Sequence, residues 1–234
     1  MSKTSPYVSM ARSLKIATLI TSFIWMLAPV ALAQTSGFGK IIAAAGTVEL
    51  AGKALKTGDV LSAGGLLTLS EGAKVKIYFP EAKWLMMSAG PSRVHIEPPS
   101  PKSKFEVLDG FSRWVRSKAL PAGKTQGPYV VTKSSVMGAR GTDFIAVANE
   151  LLGESEIIVF DGEVNFTSRI SKGDRRSVTS GHWGGVGGRF GQKIAPLIAL
   201  PASVLDVFKQ KLSVDTATSG AKESADFHGQ KIPE

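Results

Sequence analysis

The chain contains no cysteine, and only three histidines, His95, His182 and His228, which are far apart in the sequence. Disulfides, a thiolate nucleophile and a cysteine-linked lipid anchor are therefore excluded, and no histidine pair has the spacing of zinc ligands. The chain has no Gly-x-Ser-x-Gly elbow, and its glycine-rich run has Phe190 where a dinucleotide-binding loop requires glycine. The sequence predicts a protein that is not an enzyme and has no metal or cofactor.

Paired carboxylates could still support glycan hydrolysis, and Asp109 and Asp161 are the candidates for such a pair. Each directly precedes a glycine, a context in which aspartate commonly forms tight turns. We therefore interpret both as turn residues. Glu150 and Glu154 flank a predicted loop tip at Gly153 and are expected in solvent.

The first 33 residues have the composition of a signal peptide. Lys3, Arg12 and Lys15 precede an apolar run from Ile16 to Val30, which ends in Ala31-Leu32-Ala33. Small residues at these positions are the pattern that signal peptidase recognises. The run is shorter than the roughly 20 residues that span a bilayer. We expect cleavage near Ala33 and export to the periplasm or beyond it, with an uncut membrane anchor as the alternative.

The net charge of +9 is spread along the chain, and loss of the leader would lower it to +6. A nucleic-acid-binding protein would show a denser basic stripe with stacking aromatic residues, so we predict no nucleic-acid partner. A mildly basic surface suits acidic envelope polymers or anionic lipids, or simply keeps the protein soluble. No later segment is apolar for long enough to cross a membrane, so no stable span is expected after cleavage.

Short strands and frequent turns dominate from Lys40 to Phe166. This pattern predicts an all-β fold, a short-stranded β-sandwich or β-roll. Two Asp-Gly pairs, at 109–110 and 161–162, predict hairpin turns. Trp84–Met87 and Arg93–Ile96 are predicted to be two separate strands.

The chain divides into five predicted parts. These are a signal peptide (1–33), a β domain (34–170), a glycine-rich connector (171–202), a short helix (203–212) and a disordered tail (213–234). Gly181–Gly191 contains six glycines in eleven residues and is expected to pack little. Ser203 is expected to cap the helix, with Val204, Leu205, Phe208 and Leu212 on one face.

Several motifs between Gly46 and Val164 resemble, in order, those of the FecR domain. Leu55–Leu61 is similar to its Leu-x-x-Gly-Asp-x-Leu step, and Val159–Val164 to its closing Val-x-x-Gly-x-Val. The most specific part is Val130-Val131-Thr132 followed by Arg140–Val147, which resembles Val-x-Thr and then Arg-Gly-Thr-x-Phe-x-Val. The matching motif positions are Gly58, Asp59, Thr132, Arg140, Gly141, Thr142, Phe144, Asp161 and Gly162.

The resemblance implies a β-rich extracytoplasmic module. In the regulators that gave the family its name, this module senses an outer-membrane receptor, and the protein passes a signal to a cytoplasmic sigma factor. Only residues 1–15 precede the apolar run in this chain, so a sigma-factor-binding segment is not expected. The resemblance then implies an exported module that recognises a protein or an envelope polymer. A structural or assembly component and a tethered periplasmic signalling domain are the alternatives, and the oligomeric state is left open.

Physical chemistry indicates a structural role for the central motif. Gly141 can adopt backbone angles that other residues avoid, and the Thr142 hydroxyl can bond to local backbone. On the following strand, Phe144 and Ala146 share one face, and Ile145 and Val147 share the other. Because both faces are apolar, the sequence predicts a strand that is buried on two sides.

Four residues are candidates for partner binding: Arg113, Trp114, Arg116 and Trp183. An exposed Trp114–Arg116 face would suit an acidic or glycan partner. In the alternative, Trp114 lies in the core while the arginines extend their charged ends to solvent. Trp183, in the glycine-rich run, either docks on the domain or contacts a partner.

The leader generates a first prediction. If the signal peptide is cleaved, the mature chain begins at Gln34, because the small residues that end the leader position the cut there. Mass spectrometry of the protein purified from its natural envelope measures this N-terminus. Recovery of the intact leader would instead support the tethered form.

Overall fold

The computed structural model describes residues 37–98, 100, 103–116, 129–139, 141–212, 224–225 and 231–232. The predicted signal peptide, Arg140 and most of the predicted tail lie outside the described residues. Sixteen strands of the described part form one sheet, and one helix, α1 (Ala202–Leu212), follows them. The all-β prediction with a short C-terminal helix is confirmed.

The strands of the sheet are β1 (Gly39–Ala45), β2 (Val48–Leu50), β3 (Lys53–Ala54), β4 (Val60–Leu61), β5 (Gly65–Leu69), β6 (Lys74–Phe79), β7 (Trp84–Ile96), β8 (Lys104–Arg116), β9 (Tyr129–Val131), β10 (Ser135–Ala139), β11 (Asp143–Asn149), β12 (Glu154–Asp161), β13 (Glu163–Ser168), β14 (Arg175–Thr179), β15 (His182–Val186) and β16 (Ile198–Ala199). A separate two-stranded pair consists of β17 (Ser224–Ala225) and β18 (Lys231–Ile232).

One continuous path runs through the sheet in the order β14-β13-β10-β9-β8-β11-β12-β15-β16. β7 pairs with β8 of this path, and β5 and β6 both pair with β7. β2 pairs with β5 and β3, and β1 pairs with β6 and β4. The pairs are antiparallel except β8 and β9, which run parallel. The sheet does not close, so it keeps free edges.

Two strands of thirteen residues, β7 and β8, link the two halves of the sheet. The first part of β7 pairs with β6 and its last part pairs with β5. The predicted breaks at Ser88–Ser92 and at Asp109-Gly110 are therefore wrong. Gly110 adopts φ +84° and lies where the register between β7 and β8 shifts. Gly110 and the segment Ser88–Ser92 therefore form a bulge, and both strands continue through it.

The chain crosses between neighbouring parts of the sheet at two corners that contact each other. Gly141-Thr142 leads from β10 to β11, and Asp161-Gly162 leads from β12 to β13. β12 pairs with β11 and β15, whereas β13 pairs with β10 and β14. The predicted Asp161-Gly162 hairpin is therefore wrong, because its two strands take different partners.

The sheet curls around one apolar core that contains side chains from every strand between β1 and β15 except β3. A line of aromatic rings runs through this core. Adjacent ring centroids lie 4.8 to 6.2 Å apart in the sequence of contacts Phe38, Phe79, Phe105, Trp114, Trp84 and Phe144. Such pairs add about 0.5–1.5 kcal/mol each beyond the area that they bury.

A second apolar cluster covers the other face of the sheet. Ile145 and Val147 belong to it, whereas Phe144 and Ala146 belong to the main core, so the predicted two-sided burial of this strand is confirmed. Helix α1 supplies the cover with its apolar side chains Leu205, Phe208 and Leu212. Val204, predicted on the same face, is 36% exposed. The helix begins at Ala202, so Ser203 lies inside its first turn rather than capping it.

Residues 171–202 contribute three strands, β14, β15 and β16, to the same sheet. Gly184, Gly185 and Val186 of β15 are buried, so the expectation that this glycine-rich stretch packs little is wrong. A Cβ on Gly184 would lie 2.9 Å from a methyl group of Leu197, and one on Gly185 would lie 2.9 Å from the ring of Phe190. Glycine is needed here because neighbouring side chains approach the backbone closely.

The contact between the two corners generates a prediction. Gly162→Ala would place a Cβ 2.8 Å from the Gly141 carbonyl oxygen, at φ +80°. Gly173→Ala is the matched control, because Gly173 has φ +82° and a Cβ there would have no atom within 4 Å. We expect Gly162→Ala to lower the free energy of unfolding by about 1–3 kcal/mol more than the control does. Urea denaturation measures the difference, and equal losses would contradict the corner contact.

Candidate functional site

The first FecR-like motif forms a turn that is bonded to β1. The backbone N–H of Lys56 donates to Asp59 Oδ2 at 2.8 Å, and Gly58 adopts φ +94°. The Gly58 N–H donates to the Ile41 carbonyl, and the Ile41 N–H donates to the Asp59 carbonyl, both at 2.9 Å. Gly58 and Asp59 thus shape the scaffold.

Thr132 lies in a buried hydroxyl network between β9, β10 and β12. Its Oγ1 accepts the backbone N–H of Ser135 at 3.0 Å and contacts the hydroxyl groups of Ser135 and Ser155. Arg169 Nη1 donates to the Thr132 carbonyl at 2.6 Å. All three hydroxyl residues are fully buried, so the network holds strands together and offers no group to a ligand.

The central motif also lies in the interior. Thr142 is 2% exposed, and its Oγ1 has no hydrogen-bond partner in the described part of the chain, unlike the local bond that the sequence suggested. Phe144 is fully buried and packs edge-on against Trp84. Gly141 adopts φ +60° and touches Gly162 of the second corner. The structure places these motif residues in the scaffold.

Trp114, Arg113 and Arg116 do not form an exposed surface. Trp114 is fully buried between Trp84 and Phe105, and its Nε1 donates to Ser112 Oγ at 2.8 Å. Arg116 is 7% exposed, and its Nη1 donates to the Ala139 carbonyl. The proposed tryptophan–arginine binding face is therefore wrong. The interpretation of Trp114 as a core residue is confirmed, but the expectation that the arginines extend their charged ends to solvent is wrong, because Arg113 and Arg116 are both buried.

Arg113 lies on the opposite face of β8, in a buried ion pair with Asp143. Its Nε and Nη2 donate to the two carboxylate oxygens at 2.8 and 2.6 Å, and both side chains are 8% exposed. Its guanidinium also stacks 5.1 Å from the ring centre of Phe160, which Lys209 of α1 approaches from 5.4 Å. The pair supports the surface beneath the helix and is not available to a partner.

Trp183 docks on its own domain. Its Nε1 donates to Glu156 Oε2 at 2.8 Å, and its ring packs 5.3 Å from that of Phe190. Arg189 joins this group: its Nη2 donates to Glu156 Oε1 at 2.9 Å, and its guanidinium lies 4.7 Å from the Phe190 ring centre. The Arg189 side chain is 64% exposed, whereas Trp183 is half-buried.

Two adjacent leucines project from the hairpin that joins β11 to β12. Leu151 is 91% exposed and Leu152 is 55% exposed. Their turn is well supported, because the Leu152 N–H donates to Asn149 Oδ1 at 3.0 Å and the Gly153 N–H donates to the Glu150 carbonyl at 3.3 Å. The leucines are therefore held outward by the backbone.

Three basic residues surround this tip. Arg93 pairs with the Glu150 carboxylate, Lys133 Nζ donates to the Glu150 carbonyl at 3.2 Å, and the Arg189 N–H donates to Glu154 Oε1 at 2.9 Å. Glu154, which the sequence placed in solvent, is buried. We call Leu151 and Leu152, together with Arg93, Lys133 and Arg189, the hairpin-tip surface.

Among the described residues, the acidic side chains that the sequence offered as a pair lie far apart. Asp109 on β8 and Asp161 on β12 lie six residues apart along the ladder of β11, about 20 Å at strand spacing. Facing carboxylates of glycosidases lie within about 10 Å, so this pair does not fit. The described residues contain no group of three or more acidic or histidine side chains that could hold a metal ion.

Sequence reasoning missed the hairpin-tip surface. It identified the loop tip at Gly153 but weighed only the flanking glutamates. The available signal was Leu151-Leu152 inside a predicted turn, a position where polar residues are usual.

The buried ion pair generates a prediction. Asp143→Ala leaves the Arg113 guanidinium buried without its carboxylate, which we expect to lower the free energy of unfolding by about 3–5 kcal/mol. Asp206→Ala is the control, because Asp206 faces Lys209 at 3.9 Å on the surface and should cost under about 1 kcal/mol. Urea denaturation of both variants checks this. A loss from Asp143→Ala as small as that from the control would show that the Arg113 guanidinium reaches solvent once its carboxylate is removed, and would contradict the prediction.

No family model matches the chain, and no curated protein matches it. Two solved crystal structures, at 1.65 and 2.50 Å resolution, are similar to it, each of a putative anti-sigma factor from Parabacteroides distasonis ATCC 8503. The first has a TM-score of 0.50 and 12% identity, over 62% of this chain and 64% of that one. The second has a TM-score of 0.51 and 12% identity, over 63% and 65%. The chain thus spans slightly less than two thirds of those proteins, and it shares their fold over that part.

Proposed function

We propose that this chain is an exported, non-enzymatic FecR-like recognition domain that binds a protein partner through the hairpin-tip surface. The observation that carries the proposal is the pair of leucines, 91% and 55% exposed, on a rigidly supported turn. Adjacent exposed leucines surrounded by polar residues are typical of protein interaction sites.

The membership in the FecR group is supported by motif order and by fold. Gly58-Asp59, Thr132, Gly141-Thr142 and Asp161-Gly162 occur in the family's order, and all shape turns, corners or the hydroxyl network of the scaffold. The fold matches that of two putative anti-sigma factors, a class to which FecR-like regulators belong. That likeness also favours a second candidate, a tethered periplasmic signalling domain.

The energetics of the tip favour a partner with an apolar pocket. Burial of a leucine side chain is worth about 1.5–3 kcal/mol, so two leucines can supply much of the affinity of a transient complex. The turn is already ordered by the bonds of Asn149 and Glu150, so little conformational entropy is lost when a partner covers it.

The charges around the tip are largely paired within the domain. Arg93 pairs with Glu150 and Arg189 pairs with Glu156, while the Lys133 ammonium donates to the Glu150 carbonyl. The leucines, rather than a net charge, therefore define the partner, and we propose a protein with an apolar pocket, located outside the inner membrane. None of the helices in the described part of the chain is long and apolar enough to cross a membrane.

The assembly alternative gains no support from α1. Its apolar residues Leu205, Phe208 and Leu212 pack on the domain's own sheet, so this face is already occupied. The exposed valines of the helix, Val204 and Val207, are instead useful as a control surface.

The proposal predicts that Leu151→Asp/Leu152→Asp reduces partner capture at least tenfold, since each lost leucine contact exceeds the roughly 1.4 kcal/mol that corresponds to tenfold affinity. Crosslinked pull-down from envelope fractions, quantified by mass spectrometry, measures the capture. The unfolding midpoint should stay unchanged because both side chains are exposed.

Val207→Asp is the matched control, because Val207 is 56% exposed on a different element. It should leave capture intact. Equal capture by the leucine double variant and the wild-type chain would overturn the assignment of the surface. The absence of any partner enriched by the wild-type chain would overturn the proposed function itself.

A further inference from the structure

β14 is an edge strand that carries unneutralised positive charge. It stands at the end of the sheet path and bonds to β13. Four of its five residues are exposed, and only Val178 is buried. An exposed edge of this length can accept an additional strand from another protein.

The hydrogen bonds define which groups point away from the sheet. Ser168 N–H donates to the Asp174 carbonyl at 2.9 Å, and Ser180 N–H donates to the Gly162 carbonyl at 3.0 Å. In an antiparallel ladder, bonded residues alternate. Even-numbered residues of β14 therefore bond to β13, and the N–H and C=O groups of Arg175, Ser177 and Thr179 point outward.

The basic residues of this edge differ from four arginines elsewhere in the described domain. Lys172, Arg175 and Arg176 are exposed and form no ion pair with any described residue. In contrast, Arg93, Arg113, Arg169 and Arg189 each face a carboxylate. Two acids lie nearby, but neither forms an ion pair with these three residues: Glu163 accepts the Ser177 hydroxyl, and Asp174 accepts the Ile194 N–H at 2.6 Å.

We propose that β14 binds an extended acidic segment of another protein by strand addition. The outward groups of its three odd-numbered residues supply up to six main-chain hydrogen bonds. Arg175 and Arg176 point to opposite faces of the strand, so acidic side chains on both faces of the incoming segment are favoured. This docking edge is separate from the hairpin tip and goes beyond the proposed function.

Charge also selects the occupant. A second copy of this chain, paired through the same strand, would bring four unneutralised arginines into one short ladder, which is unfavourable. Apolar or basic strands are discouraged by the same residues, as is usual for charged sheet edges. Of these three kinds of strand, only an acidic one is attracted electrostatically to the basic residues of β14.

The test uses the full chain and two synthetic heptapeptides with capped ends. One has the sequence Val-Glu-Glu-Val-Glu-Glu-Val, which places carboxylates on both faces of the extended peptide, and in the other lysine replaces each glutamate. We expect the acidic peptide to shift the backbone amide NMR signals of Arg175, Ser177 and Thr179 and to slow their hydrogen exchange. The basic peptide should leave these signals unchanged.

Ser177→Pro removes one outward N–H and obstructs strand addition, while the bonds to β13 belong to the even-numbered residues. It should weaken binding of the acidic peptide at least tenfold. Ser177→Ala is the matched control, because it loses the same hydroxyl but keeps the N–H, and it should bind like the wild-type chain.

Reversal of the two arginine charges provides a second variant, which tests the proposal even if Ser177→Pro prevents the domain from folding. Arg175→Glu/Arg176→Glu should lose the acidic peptide and gain the basic one. The proposal is overturned if the acidic peptide produces no shifts at about 1 mM, the weak end of measurable affinity. It is equally overturned if Ser177→Pro binds as well as Ser177→Ala, or if light scattering shows a wild-type dimer that Ser177→Pro dissociates.

Discussion

The line of aromatic rings through the core is the contact on which the rest of the fold depends. Phe38 and Phe79 come from the N-terminal half of the sheet, whereas Phe144 comes from the C-terminal half. The rings of β7 and β8, above all Trp84 and Trp114, lie between them. A chain without disulfides needs such extensive apolar burial, and these two long strands provide it by belonging to both halves.

The opposite face of the sheet is stabilised differently. There, the Arg113–Asp143 pair lies among Phe160 and the apolar residues that α1 covers. A buried ion pair contributes little net stability, but its two parallel hydrogen bonds fix the register of β8 against β11. The strand pair at the centre of the domain is thus held by packing on one side and by directional bonds on the other.

The motif residues and the two surfaces proposed for binding are different residues. Gly141, Gly162 and Thr132 are constrained by corners and by a buried network, so they shape the scaffold from its interior. The hairpin tip and the edge of β14 are tolerant of change because little packs on them. Such positions can be adapted to a particular partner while the scaffold is kept.

The sequence by itself determined the β class, the C-terminal helix and the two-sided burial of Phe144–Val147, because each follows from local periodicity and turn chemistry. It also placed glycines where positive φ is required. Only the tertiary structure decided that neither Asp-Gly pair forms a hairpin turn. It also decided that Trp114 is buried and that Leu151 and Leu152 are exposed. These outcomes depend on which distant strands pair, and strand pairing is a long-range choice that local residue patterns do not encode.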